Sequence, residues 1–201
     1  MIQRVGLILL LLTASAQAAD IKVVSPAVVT VSGRFSKGDS VRFFDAVEKL
    51  QNATVYFDSI GGNAFAGIGI GEIIHERRFR TAVLNYHICV SACAIAWLGG
   101  KERFTGLGSI VGFHAPYIKQ RTRESITYGT TAVWGVNIVR SGAGTTMVRS
   151  YLTDTLSLSG AAALYVTKAD PIKVNILTAE DGKKYGIVFT RMNIPGYNPL
   201  P

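Results

Sequence analysis

The chain is poor in the side chains that hold metals. Its 201 residues contain two cysteines and three histidines. The histidines stand apart at 75, 87 and 114, whereas a structural zinc site needs four ligands, so no metal and no other cofactor is expected. Long apolar runs are missing too. The one at Val5 to Leu12 falls short of the roughly 18 residues a membrane span needs, and no other stretch approaches that length. Nothing resembles a phosphate-binding glycine loop, which excludes an ATP-driven motor within the chain. Acidic residues number only 13 against 21 basic, a formal charge of +8. The bases are scattered apart from His75–Arg80 and Lys119–Arg123. Neither cluster sits in a nucleic-acid motif, so both read as solvated faces and no nucleic acid is expected as partner. What is plentiful is apolar material, 48% against 17% charged, enough for a packed core and too much for a disordered chain.

Met1 to Arg4 carries one positive charge, Val5 to Leu12 is apolar, and Ala14 to Ala18 is small and ends in Ala16-Gln17-Ala18. That order is the pattern of a secretory leader, with cleavage expected after Ala18. An uncleaved amino-terminal anchor is the other reading. A cleaved chain is one domain, 19–201, without internal repeats, in a periplasmic or secreted location. Loss of Arg4 leaves 20 basic against 13 acidic residues, about +7.

Along the mature chain, Val23 to Val31 is β-branched and reads as a strand ended by Gly33. Apolar residues at 41, 43, 44, 47 and 50 have helical spacing after the turn Ser36 to Asp39. Ala53 to Phe57 is a strand and Asp58 to Asn63 a glycine-containing turn. Ala64 to Arg78 is a helix whose glycines imply close packing against the sheet. Thr81 to Ile88 is a strand, Ser91 to Leu98 a small-residue helix, and Ser109 to Phe113 a strand. This alternation predicts an α/β protein with a largely parallel sheet. Beyond Pro116, helices are expected over Glu124–Val139, Thr145–Leu156, Ser159–Val166 and Asp181–Tyr185, then a strand at Ile187 to Thr190 and an irregular tail from Pro195.

A serine hydroxyl becomes a nucleophile when a base takes its proton and donors await the oxyanion. Three segments offer these parts in order. Gly61-Gly62 follows a strand. Ser91 stands at a strand-to-helix junction, where backbone N–H groups stabilise negative charge. His114 directly follows the strand Val111-Gly112-Phe113. Strand ends of a parallel sheet carry the ligand site, so the three could converge there. Taken singly, Ser91 also reads as a helix N-cap, and His114 as a core histidine. His75 and His87 read as structural, Trp97 and Trp134 as core or subunit-contact residues, and Tyr117 as a groove residue.

Asp58-Ser59-Ile60-Gly61-Gly62, Cys89 to Ala94, Gly112-Phe113-His114-Ala115-Pro116, and Ile176 to Glu180 with Tyr185-Gly186-Ile187 together resemble the Clp protease proteolytic subunit. The match is in family order and covers roughly residues 22 to 190. The resemblance implies the ClpP/crotonase spiral of ββα units, mostly parallel sheet with C-terminal helices, and hydrolysis of a peptide or protein substrate. It assigns Ser91 as nucleophile, His114 as base, and Gly61 (with Gly62) and Ala92 as oxyanion-hole donors. Alignment on Leu177-Thr178 places the family's aspartate at about Val174, where no carboxylate stands. Asn175 and Asp170 are the polar candidates for that third role. An asparagine orients a histidine but does not stabilise the imidazolium as a carboxylate would.

The family's intracellular protease works with an ATP-driven unfoldase. An exported relative has no such ATPase partner, and is closer in kind to serine-type signal-peptide peptidases. The stretch Glu124 to Leu156 stands where the family has its inter-subunit handle, which implies a homo-oligomer of unfixed number. Crotonase-type acyl-CoA chemistry has no CoA to use outside the cytoplasm. Cys89 and Cys93 flank Ser91. A helical separation of four would place their Cα atoms ~6 Å apart, within disulfide range, and export would preserve the bond. Two buried free thiols are the other reading. The functional alternatives are a serine endopeptidase and a catalytically impaired relative that binds peptides or partner proteins.

Overall fold

The computed structural model describes residues 18–128 and 131–195, without side-chain detail at 121–128 and 131–135. Residues 1–17 of the expected leader, the tail from 196 and the side chain of Trp134 lie outside that description.

The strand expected over Val23–Val31 is a hairpin, β1 (Asp20–Ser25) and β2 (Val28–Ser32). Pro26 lies between them, and a residue without an N–H interrupts a ladder. The chain then alternates through α1 (Asp39–Val47), β3 (Thr54–Asp58), α2 (Ala64–Glu76) and β4 (Arg80–Val83), with β2, β3 and β4 parallel. The expected strand Thr81–Ile88 is likewise two. Tyr86, at φ 62°, turns the chain out of β4 into β5 (Ile88–Val90). After α3 (Ala92–Trp97) the same step recurs from β6 (Arg103–Thr105) to β7 (Ile110–Phe113).

Each such step carries the chain from one sheet to another, which is the ββα repeat. The first sheet runs β1-β2-β3-β4-β6 and ends on β11 (Thr190–Arg191). The second runs from β5 through β7 to β10 (Asn175–Ile176). Backbone bridges Phe35–Gly62 and Ser59–Cys89 extend the stepped pattern. The core between the layers is built from Val29, Val55, Phe57, Ile70, Ile74 and Trp97, all at most 1% exposed. The glycines of α2 serve close packing against other helices rather than the sheet, Gly67 on α3, Gly69 on Ser40 of α1, and Gly71 on Tyr151 and Ala96. A Cβ at Gly67 would run into the Ala92 carbonyl.

The largest departure follows Pro116. Glu124–Val139 is not a helix. It falls in a two-stranded antiparallel hairpin, β8 (Tyr117–Tyr128) and β9 (Thr131–Arg140). Isoleucine, threonine, valine and aromatic residues crowd both strands, and β-branched side chains lose rotamer freedom on a helix. The helix expected over Thr145–Leu156 is α4 (Gly142–Ser150) running into a π-helical turn, Tyr151–Thr155. α5 (Gly160–Lys168) is capped by Ser159. α6 (Ala179–Tyr185) has a capping box in which the Thr178 hydroxyl takes the Asp181 N–H. The Thr178 hydroxyl also donates to Asp181, which holds that carboxyl below its ordinary range. β11 is shorter than the strand expected at Ile187–Thr190.

Candidate active site

Ser91 occupies the one residue between β5 and α3, with φ 59° and ψ −126°. That combination lies outside even the left-handed region open to some L-residues, and a strained backbone of this kind costs about 1–3 kcal/mol. The capping reading does not account for it, because the Ser91 side chain makes no capping hydrogen bond. The serine therefore sits on a sharp strand-to-helix turn with its hydroxyl unpartnered among the described residues, a geometry also found at the nucleophile elbow of α/β-hydrolases.

Cys89 and Cys93 form a disulfide across this turn, with Cα atoms 5.2 Å apart. The two cysteines do not share a helix. Cys89 belongs to β5 and Cys93 to α3, so the turn itself brings them together. Both are fully buried. The double replacement Cys89→Ser, Cys93→Ala is expected to lower unfolding stability by about 2 kcal/mol, the loop-closure entropy of so short a ring. Denaturant unfolding of the variant beside the parent measures it.

His114 is set by the neighbouring strand. β5 and β7 are parallel, with Val90 beside Gly112, and the Ser91 N–H donates to the Gly112 carbonyl at 2.9 Å. Ser91 and His114 thus both leave the carboxyl ends of adjacent strands and line one cavity of about 630 Å³. The Nδ1 of His114 lies 2.9 Å from the Ala115 carbonyl. A proton on Nδ1 satisfies that carbonyl and leaves Nε2 as the acceptor. No hydrogen bond within 3.5 Å joins Ser91 to His114 here; in ligand-free sites such bonds are often long. Tyr117 lines the same cavity, its ring 5.5 Å from the imidazole.

The glycine turn abuts the serine. A Cβ on Gly61 would lie 2.5 Å from the Val90 carbonyl oxygen and 2.8 Å from both the Ala92 nitrogen and the Ser91 Cβ. Gly61 itself is not a waiting donor, because its N–H donates to the Ser59 hydroxyl at 3.0 Å. The N–H groups of Gly62 and Ala92 have no acceptor among the described residues. Both residues line the cavity, which makes Gly62 with Ala92 the candidate donor pair. Ser59, which fixes this turn, was missed; its place in the Ser-x-Gly-Gly segment was the available signal.

Neither candidate for the third role hydrogen-bonds His114 among the described residues. Asp170 and Asn175 are exposed and line a separate cavity of about 550 Å³. Asp170 accepts the Ile172 N–H at 2.9 Å. Asn175 pairs with Phe113 across the antiparallel contact of β10 and β7. Val174, just before this pair, lines the same second cavity, and one of its methyls packs on Gly112. An aliphatic side chain thus stands where the alignment located the aspartate.

Among the described residues, the cavity's charged residues are Arg34, Lys37 and Lys119, with apolar Ile60, Phe65 and Ile118 and no carboxylate. The cations come from three separate segments, Arg34 from the chain just after β2, Lys37 from the turn before α1 and Lys119 from β8, where the sequence reads as a solvated face. His87 pairs with Asp58 at 3.1 Å and His75 is exposed on α2.

The sequence matches no family model and no curated protein. Solved structures do match. A mutant of 1510-N, a membrane-bound stomatin-specific protease, superposes with a TM-score of 0.58 over 83% of this chain and 78% of its own, at 16% identity. The fold is ClpP/crotonase-like. At that identity the likeness reaches the architecture and stops short of the chemistry, since one fold hosts many activities. The ββα fold expected from the motifs is therefore shown, and of the stretch Glu124–Leu156 expected to be helical the first part is the β8–β9 hairpin and the second is α4 with its π-helical turn.

Proposed function

We propose that this is an exported serine peptidase that hydrolyses peptide bonds through Ser91, with His114 as general base and the Gly62 and Ala92 N–H groups receiving the oxyanion. The observation that carries the reading is the strained, uncapped Ser91 turn opening into the cavity that His114 lines. Strain of this kind persists where the surrounding structure imposes it, and it clusters at active sites. Ser91 Oγ attacks the scissile carbonyl as Nε2 of His114 takes its proton. The imidazolium then protonates the leaving amine, and water releases the acyl group by the reverse sequence. Mature protein incubated with unfolded polypeptides tests this. Cleavage is expected, and its persistence in Ser91→Ala contradicts the assignment.

The Ala115 carbonyl fixes the imidazole tautomer but carries no full charge to stabilise an imidazolium. Val174→Asp places one where the family resemblance locates its aspartate, next to the Asn175–Phe113 pair, and is expected to raise the hydrolysis rate at least ~10-fold. An unchanged rate contradicts the role given to that position. Val174 also favours the second reading, a peptide-binding relative without turnover.

The three cations suit an extended substrate with acidic residues beside an apolar one. Cleavage of acidic peptides is expected to weaken as salt is raised from 50 to 500 mM, because exposed charges are screened beyond a Debye length of roughly 10 Å at 0.1 M. Salt-independent rates contradict this preference. No ATPase partner is invoked, and a homo-oligomer is part of the proposal.

A further inference from the structure

Asp39, the first residue of α1, has no exposed surface, and Ala19 is only 1% exposed. The Asp39 Oδ2 accepts the Ser36 N–H at 2.7 Å and the Ala19 N–H at 3.1 Å. Its Oδ1 accepts from Arg42 Nη1 at 2.8 Å, and that nitrogen also donates to the Ala19 carbonyl at 2.9 Å. A buried carboxylate thus grips the chain at the residue that would become the first of the mature protein. Ala18, immediately before it, is exposed.

We propose that Asp39 is the receptor for the amino terminus created by leader removal, and that seating this terminus fixes one wall of the active site. This rests on the exported reading above. Hydrolysis of the Ala18–Ala19 bond leaves a carboxylate on Ala18 and a protonated amine on Ala19. An α-amino group with an ordinary pKa of about 8 is largely charged at neutral pH. A neutral amide donor to Asp39 thereby becomes an ammonium, and a charge-assisted hydrogen bond is roughly twice as strong as a neutral one.

The link to the site is short. The oxygen that takes Ala19 also takes Ser36, and Ser36 lines the cavity. Next to it, the Phe35 N–H donates to the Gly61 carbonyl and the Phe35 carbonyl accepts the Asn63 N–H, both at 2.9 Å. These bonds flank Gly62, one of the two unpartnered N–H groups assigned to the oxyanion. A seated terminus therefore braces the segment that holds Gly62 in place.

The full chain, expressed with its leader and recovered after export, is expected by mass to begin at Ala19; any other start overturns the proposal. Protein beginning at Ala19 is then compared with the same chain extended by Gly-Ser, each with and without Asp39→Asn. The Ala19 terminus is expected to raise the thermal midpoint by about 3–6 °C over the extended chain, and Asp39→Asn to erase that gain. Equal midpoints in the Asp39 background overturn the proposal. Should Asp39→Asn not fold, an amine-reactive reagent on the parent gives the second reading. A seated Ala19 amine reacts at least ~10-fold more slowly in the folded than in the unfolded protein, and equal rates overturn it. Midpoint and amine reactivity are independent of catalysis, so a protein without peptidase activity that still shows both refutes only the peptidase reading.

Discussion

Replacing Ser91 by glycine is expected to raise the thermal midpoint of the protein while abolishing peptide hydrolysis. Ser91 has φ 59° and ψ −126°, a conformation that glycine adopts without the Cβ penalty. Relief of strain of about 1–3 kcal/mol exceeds the roughly 0.5–1 kcal/mol that glycine loses through its freer unfolded chain. The net gain of about 1 kcal/mol corresponds to about 2–4 °C for a chain of this size. Hydrolysis is expected to fall on the order of 10³-fold or more, as when a triad member is removed. Ser91→Ala loses the same activity but keeps the Cβ, so its midpoint stays near the parent's. Differential scanning calorimetry of the three proteins separates the effects. A glycine variant less stable than the alanine variant contradicts the strain account. The contrast identifies a serine held in place against stability, which is the behaviour expected of a functional residue.

Gly61→Ala is expected to be the most disruptive single substitution at the site. Gly61 has φ +81°, and a Cβ there meets the Val90 carbonyl, the Ala92 nitrogen and the Ser91 Cβ together. Two of these are backbone atoms of the nucleophile turn, which the disulfide ties and cannot readily yield. Overpacking plus a forced positive φ is expected to cost about 3 kcal/mol or more, read as a shifted denaturant midpoint, with hydrolysis lost in whatever remains folded. Asn63→Ala, two residues away, is the control. It removes only the side-chain cap of α2, a bond of 3.0 Å to Ala66, worth about 1 kcal/mol.

The sequence disclosed the parts of this site better than their connections. The order of glycine turn, Ser91 and His114 was legible because each is a short motif at a strand end, and the parallel β5–β7 register brings two of them together. Gly61 was read as an oxyanion donor because its lack of a side chain permits close approach. The approach is real, but Ser59 had already taken its N–H, and a hydrogen bond between residues two apart leaves no mark in residue spacing. Asp170 and Asn175 were chosen as the nearest polar residues along the chain. Both line the second cavity, together with Val174, whereas His114 lines the first. In the fold, two segments read as single strands each break in two, one at Pro26, whose missing N–H is a local signal, and one at Tyr86, whose positive φ is not. The hairpin beyond Pro116 was misread because polar residues at Lys119 to Glu124 obscured the alternation of its β-branched ones. Asp39 passed as part of a turn, since nothing local marks a carboxylate whose ligand is twenty residues upstream.

The central claim is that the Ser91 hydroxyl is a nucleophile activated by His114, and covalent labelling tests it most directly. Mature protein treated with a fluorophosphonate, digested and examined by mass spectrometry, is expected to carry one adduct, on the peptide containing Ser91. That adduct is expected to vanish in Ser91→Ala and to form at least ~10²-fold more slowly in His114→Ala. Absence of labelling across the pH range, or an adduct on another residue, contradicts the account.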